Sequence, residues 1–205
     1  MLEARNIRFS YPGQRPFFDA FELEAQRHER LALVAPSGTG KSTLCKLLAG
    51  YLKADTGHIQ IDGAPLPTAG ACPVQLIWQH PEQAVDPHMR MHAVLYEAGP
   101  LDELLCERLG IRKTWMTRRP HELSGGELQR FCIARALATN PSYLIADEIS
   151  TMLDAVTQAQ IWRVLLEECK NRTIGLIFVS HSPALTKRIA TRTINLAFQR
   201  GGTVL

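Results

Sequence analysis

The run Leu31-Ala32-Leu33-Val34 leads directly into Ala35-Pro36-Ser37-Gly38-Thr39-Gly40-Lys41-Ser42-Thr43, and an amphipathic stretch from Leu44 to Tyr51 follows. Strand, glycine-rich turn, helix is the context that a phosphate-binding loop requires. Gly38 and Gly40 can adopt backbone angles closed to other residues, so successive N–H groups can converge on one anion. The helix starting near Lys41 turns its positive dipole end to the same point. In such a loop Lys41 reaches the β- and γ-phosphates of a nucleotide, and the Ser42 hydroxyl ligates Mg2+. The first glycine of the usual G-x-x-x-x-G-K-S/T pattern is Ala35 here. Its Cβ is the smallest a side chain can have, so the loop is expected to close with a negative φ at Ala35.

Composition narrows the classes. A length of 205 residues suits one domain, or one domain carrying an inserted lobe. Hydrophobic residues at 45% and charged residues at 21% specify a packed core rather than disorder. A net charge of +3 is too small to argue for a nucleic-acid partner. No apolar run approaches the roughly 20 residues that span a bilayer. Leu2 onward, with Glu3 and Arg5, reads as a strand rather than a signal peptide. Cys45, Cys72, Cys106, Cys132 and Cys169 form no C-x-x-C pair, so neither zinc nor a disulfide framework is indicated. Reduced thiols in the cytosol are the expectation.

The remaining pattern places these motifs. Ile7-Arg8-Phe9 and Phe21-Glu22-Leu23 alternate around a turn at Tyr11-Pro12-Gly13, and the segment from Gly57 to Gly63 joins them in a small antiparallel sheet. Residues 65–73 hold three prolines and read as a loop. Val74 to Trp78 is a strand with Gln79 at its end, and Met89 to about Lys113 is helical with a break at Gly99-Pro100. Leu128, Cys132 and Ala136 recur at helical spacing between Gly126 and Thr139, where Asn140-Pro141 stops the helix. Tyr143 to Ala146 is a buried strand running into Asp147-Glu148, a helix covers about Thr157 to Lys170, Gly175 to Val179 runs to His181, Pro183 opens a helix, and Thr193 to Phe198 is a last strand. Apolar strands alternating with helices predict a mainly parallel sheet.

Leu123-Ser124-Gly125-Gly126-Glu127 is a second anion cradle: a hydroxyl and free N–H groups at a helix N-terminus. Two phosphate cradles in one chain imply two bound phosphates, or two chains sharing each nucleotide. The order of phosphate loop, Gln79, L-S-G-G-E and Asp147-Glu148 resembles the ATP-binding cassette (ABC) ATPases, and the similarity runs from Tyr11 to His181. It implies an α/β P-loop NTPase fold: a mainly parallel core, a small antiparallel β subdomain and an inserted α-helical subdomain. Residues 1–79 and 140–205 would form the core with the β subdomain, and 80–139 the helical lobe.

The resemblance also implies roles, with ATP and Mg2+ as ligands. Tyr11 would stack on adenine. Ser37, Gly38, Thr39, Gly40, Lys41, Ser42 and Thr43 would hold the phosphates. Ser42, Gln79 and Asp147 would attend Mg2+. Glu148 would polarise the attacking water as general base, with His181, Gln79 and Lys41 completing the catalytic set. Ser124, Gly125, Gly126, Glu127 and Asp154 would act across a dimer interface on the partner's nucleotide. Ile149 stands where the family mostly has proline, which alters the loop Ile149-Ser150-Thr151-Met152.

Within the family, residues 79–89 with their late Asp86-Pro87, Pro120-His121-Glu122, and residues 154–161 are most similar to the oligopeptide, dipeptide and nickel importer ATPases. That group usually carries a C-terminal extension, so a chain ending at Leu205 is expected to be a minimal cassette. The implied function is the ATP-hydrolysing subunit of an importer, peripheral on the cytoplasmic face of the inner membrane. Its cargo would be peptide, nickel or a metal chelate. Its partners would be a second cassette, identical or a paralogue, transmembrane permease subunits contacted near Gln79 to Met91 and the lobe up to Arg119, and indirectly an extracytoplasmic substrate-binding protein. The competing readings are a soluble non-transport ABC ATPase, an exporter ATPase, and a nucleotide-gated module that does not hydrolyse; intact Glu148 and His181 argue against the last.

Overall fold

The computed structural model describes residues 1–151 and 153–196. Five strands form a wholly parallel sheet: β3 (Arg30–Val34), β6 (Val74–Ile77), β7 (Tyr143–Asp147), β8 (Gly175–Val179) and β9 (Arg192–Asn195). Their order is β6-β7-β8-β3-β9. All five residues of β7 and of β8 are buried, the mark of interior strands covered on both faces. Because side chains alternate across a strand, Ile145 and Ile177 enter one hydrophobic cluster, while Leu144, Leu176 and Phe178 enter the other.

A second, antiparallel sheet, order β2-β1-β4-β5, joins the first cluster. It comprises β1 (Leu2–Phe9), β2 (Phe18–Ala25), β4 (Thr56–Ile61) and β5 (Ala64–Pro65). One side chain rivets the two sheets. The fully buried Tyr143 hydroxyl accepts from Leu2 N–H at 3.0 Å and donates to the Ala25 carbonyl at 3.0 Å. Its ring lies so close to Gly175 that a Cβ there would sit 2.4 Å from it.

Helix α1 (Lys41–Leu48) covers this side of the parallel sheet, and α5 (Ala155–Asn171) and α6 (Pro183–Ile189) contribute to the other. Also on that second side are α2 (Met91–Tyr96), α3 (Glu103–Arg108) and α4 (Gly125–Ala138). The helical stretch expected from Met89 to Lys113 is two short helices. The chain breaks around Gly99-Pro100 and restarts where Asp102 accepts from Leu105 N–H at 2.9 Å. Helix α4 is buried nearly all round, so it carries no clean polar face. Polar ties fix the lobe to α5: Arg108 bonds Glu167 at 2.9 Å and the buried Glu168, which Arg172 also holds at 2.7 Å.

The strand expected to reach Trp78 ends at Ile77, and the one expected over Thr193 to Phe198 spans Arg192–Asn195; Ala197 and Phe198 lie outside the described residues. The expected mainly parallel core with an antiparallel sheet and added helices is the architecture observed.

Candidate nucleotide site

The carboxyl ends of β3, β6, β7 and β8 open on one side of the parallel sheet, where ligands bind in α/β folds. After β3 the loop turns through left-handed Gly38 (φ +77°) and Gly40 (φ +91°), while Ala35 keeps an ordinary φ, as expected. A Cβ on Gly40 would stand 3.0 Å from the Phe17 ring and 3.2 Å from Phe18, so space as well as φ demands glycine. Lys41 is only 7% exposed, and its ammonium donates to the carbonyls of Ala35 at 2.9 Å and Pro36 at 3.0 Å. The Thr39 hydroxyl closes the same loop onto Pro36 O at 2.7 Å. A cavity of about 500 Å³ lies against this loop, lined also by Phe17, Gln79, Glu148 and His181.

Strand β7 delivers two carboxylates. Asp147 is 5% exposed, and its Oδ1 has no hydrogen-bond partner. Burial pushes its carboxyl above the ordinary aspartate range, against the opposing pull of a hydrogen bond from the Ser42 hydroxyl. A buried, unpartnered carboxylate oxygen beside a serine hydroxyl is a hard-oxygen donor set of the kind Mg2+ takes. Among the described residues no group of three His, Cys, Asp or Glu could hold a metal.

Glu148 adopts φ +51°, unusual for a side-chain-bearing residue. Its N–H donates to Val179 O at 3.3 Å, and its carbonyl accepts from Thr151 N–H at 3.3 Å and the Thr151 hydroxyl at 3.1 Å. The bend aims the carboxylate into the cavity. Oε2 accepts from Gln79 Nε2 at 3.0 Å, and Oε1 lies 2.7 Å from His181 Nε2.

The other expected residues stand elsewhere. Ser124 and Glu127 form a reciprocal cap at the start of α4: Ser124 Oγ accepts from Glu127 N–H at 3.3 Å, and Glu127 Oε2 accepts from Ser124 N–H at 2.8 Å. Ser124, Gly125, Gly126 and Glu127 do not line the cavity. A Cβ on Gly126 would meet Leu153 at 2.9 Å, so the second cradle abuts the loop before α5. Asp154 caps α5 by accepting from Val156 and Thr157 N–H, both at 3.0 Å, bonds that hold its carboxyl below the usual range. Met152 lies outside the described residues. Tyr11 is edge-on to Phe9 and Phe17, its hydroxyl 3.2 Å from that of Thr43, and Phe17 rather than Tyr11 lines the cavity. The sequence gives no signal for Phe17, since an aromatic beside Phe18 at a strand edge reads as ordinary packing.

A family model described as ABC transporter matches residues 18–151. The chain belongs to the ABC transporter family. Among relatives, this cassette is 37% identical over 183 residues to the glutathione import ATP-binding protein GsiA of Escherichia coli O6:H1, covering 80% of this chain and 29% of that one. It is 36% identical over 195 residues to a Brucella abortus (strain 2308) protein named for peptide import ATP binding, covering 85% and 58%. The cassette therefore spans under two thirds of these relatives' length. A solved ATP-binding cassette in a dimeric post-hydrolysis state, bound to ADP and Pi, matches with a TM-score of 0.82 over 95% of this chain and 94% of its own, at 21% identity. CbiO1 from Clostridium perfringens, part of the cbiONQ transporter complex, gives 0.76 over 95% and 83%, at 23% identity. These likenesses establish the fold.

Proposed function

We propose that this cassette binds ATP with Mg2+ and hydrolyses it as the ATP-binding subunit of an importer, peripheral on the cytoplasmic membrane face. The observation that carries the reading is the Glu148 carboxylate, held by Gln79 and His181 at the edge of the cavity beside the phosphate loop. Lys41 exchanges its two loop carbonyls for the β- and γ-phosphates, and the N–H groups from Gly38 to Thr43 cradle the rest. Asp147, Ser42 and Gln79 would hold Mg2+, which supplies charge neutralisation between the phosphates. Glu148 takes the proton of the attacking water as its oxygen bonds to the γ-phosphorus, while the bond to the β–γ bridging oxygen breaks and ADP leaves. His181 donates to the γ-phosphoryl oxygens. The Tyr11–Phe17 pair is assigned to the base.

The second cradle stands apart from this cavity, which supports its use by a facing cassette, identical or paralogous. The glutathione and peptide import names of the relatives favour short peptides as cargo over nickel or metal chelates. Entry would be through separate permease subunits, fed by an extracytoplasmic binding protein. The test is uptake of labelled peptides by cells lacking this chain. The wild-type gene is expected to restore uptake and Glu148→Gln to fail, with a permease co-purifying from membranes. Restored ATPase without uptake or permease would favour a soluble ABC ATPase, and cargo leaving the cell would favour an exporter.

A further inference from the structure

We propose that Ser150 is a positioning residue for Glu148, fastening the turn after the carboxylate to α5 and, through Trp162, to the strand that carries His181. This rests on the reading of Glu148 as general base. Ser150 is 8% exposed, and its Oγ accepts two hydrogen bonds, from Gln158 Nε2 at 2.9 Å and Trp162 Nε1 at 3.1 Å. Both lone pairs of the hydroxyl are thereby used. The Trp162 ring stands edge-on to Phe178, centroids 5.6 Å apart, and Phe178 lies three residues before His181 on the same strand and its exit.

A left-handed residue with a side chain persists only where its surroundings over-determine it. For Glu148 these are the bond to Val179, the bonds from Thr151 and the burial of Ile149 in the cluster that includes Trp162. The Ser150 knot holds the middle of the same turn. Removing the hydroxyl leaves two donors beneath the turn without their acceptor. The turn can then relax towards ordinary φ, which swings the Glu148 carboxylate off Gln79 and His181. Lys41 and Ser42 sit on a different segment, so nucleotide binding is untouched.

The test is steady-state ATP hydrolysis by the whole chain. Ser150→Ala is expected to lower kcat about tenfold or more with KM for ATP within about twofold, because small misplacements of a reacting group cost rate rather than binding. Ser150→Thr, which keeps the acceptor, is expected to recover most of the rate. Should Ser150→Ala fail to fold, Trp162→Phe combined with Gln158→Leu removes the same two bonds from the other side and must give the same kcat-only loss. Unchanged kcat in these variants, or a rise in KM matching the fall in kcat without rescue by threonine, would overturn the assignment of Ser150 while leaving Glu148 in place. A wild-type chain without ATPase activity, assayed with its membrane partners, would overturn both.

Discussion

His181 Nε2 stands 2.7 Å from Oε1 of Glu148, on the opposite oxygen from the one Gln79 holds at 3.0 Å. Gln79 and His181, from the exits of two parallel strands, thus meet on a carboxylate at the exit of a third. Each oxygen holds one of these two partners and keeps acceptor capacity for a water, so Glu148 can take up a water with both partners in place. His181, half exposed, is the one with freedom to turn towards a phosphate. His181→Ala should therefore leave ATP affinity nearly unchanged and slow hydrolysis by roughly 10²-fold or more. Steady-state ATPase assays with parallel binding measurements check this.

The separation of Ser124 from the cavity has its own consequence. Ser124→Arg in one chain should leave ATP binding by that chain intact and abolish turnover. Mixed with a Lys41→Ala chain, it should regain activity, because one composite site then combines an unaltered loop with an unaltered cradle. A mixture that stays inactive, with dimers demonstrated by sedimentation, would argue against action across the interface.

Asp147 makes stability depend on pH. Burial raises its pKa on folding, so the folded state binds a proton more readily than the unfolded chain. Its contribution is most favourable below the unfolded value of 3.8 and falls as pH rises through the raised folded value. The penalty therefore grows as pH rises. Asp147→Asn, without nucleotide, should melt above wild type at pH 7, and the gap should close near pH 3–4. Mg2+ with ATP should raise the melting temperature of wild type by more than that of the variant, which keeps the phosphate loop but loses a Mg2+ residue.

Tyr143→Phe deletes the hydroxyl that joins the two sheets. It strands the Leu2 N–H and the Ala25 carbonyl in the interior, at a cost of about 1–3 kcal/mol. Urea denaturation should show that loss with an unchanged slope, and ATP hydrolysis at 25 °C should be close to wild type.

The loop from Ala35 to Thr43 was legible because glycine, lysine and serine are dictated there by backbone angle and charge, and a short apolar run before it gives way to an amphipathic stretch after it. Asp147 and Glu148 were legible because a buried strand ends on them. What stayed hidden depends on contacts between distant segments. Phe17 reaches the cavity by packing beside Gly40, on a different segment of the chain. The left-handed turn at Glu148 and the knot at Ser150 arise from α5 and β8, which no local pattern links to them. Tyr143 reads as an ordinary strand aromatic, yet its hydroxyl spans 141 residues to Leu2. The lobe helices were blurred because α4 is buried on nearly every side and loses its stripe.

The most direct measurement is ATP binding and hydrolysis by Glu148→Gln beside wild type. Glutamine keeps the shape and the Gln79 and His181 neighbourhood but cannot take a proton. ATP should bind within about threefold of wild type, while hydrolysis falls by at least about 10²-fold. A variant that hydrolyses ATP at the wild-type rate would contradict the assignment of this carboxylate as the base, and with it the central claim.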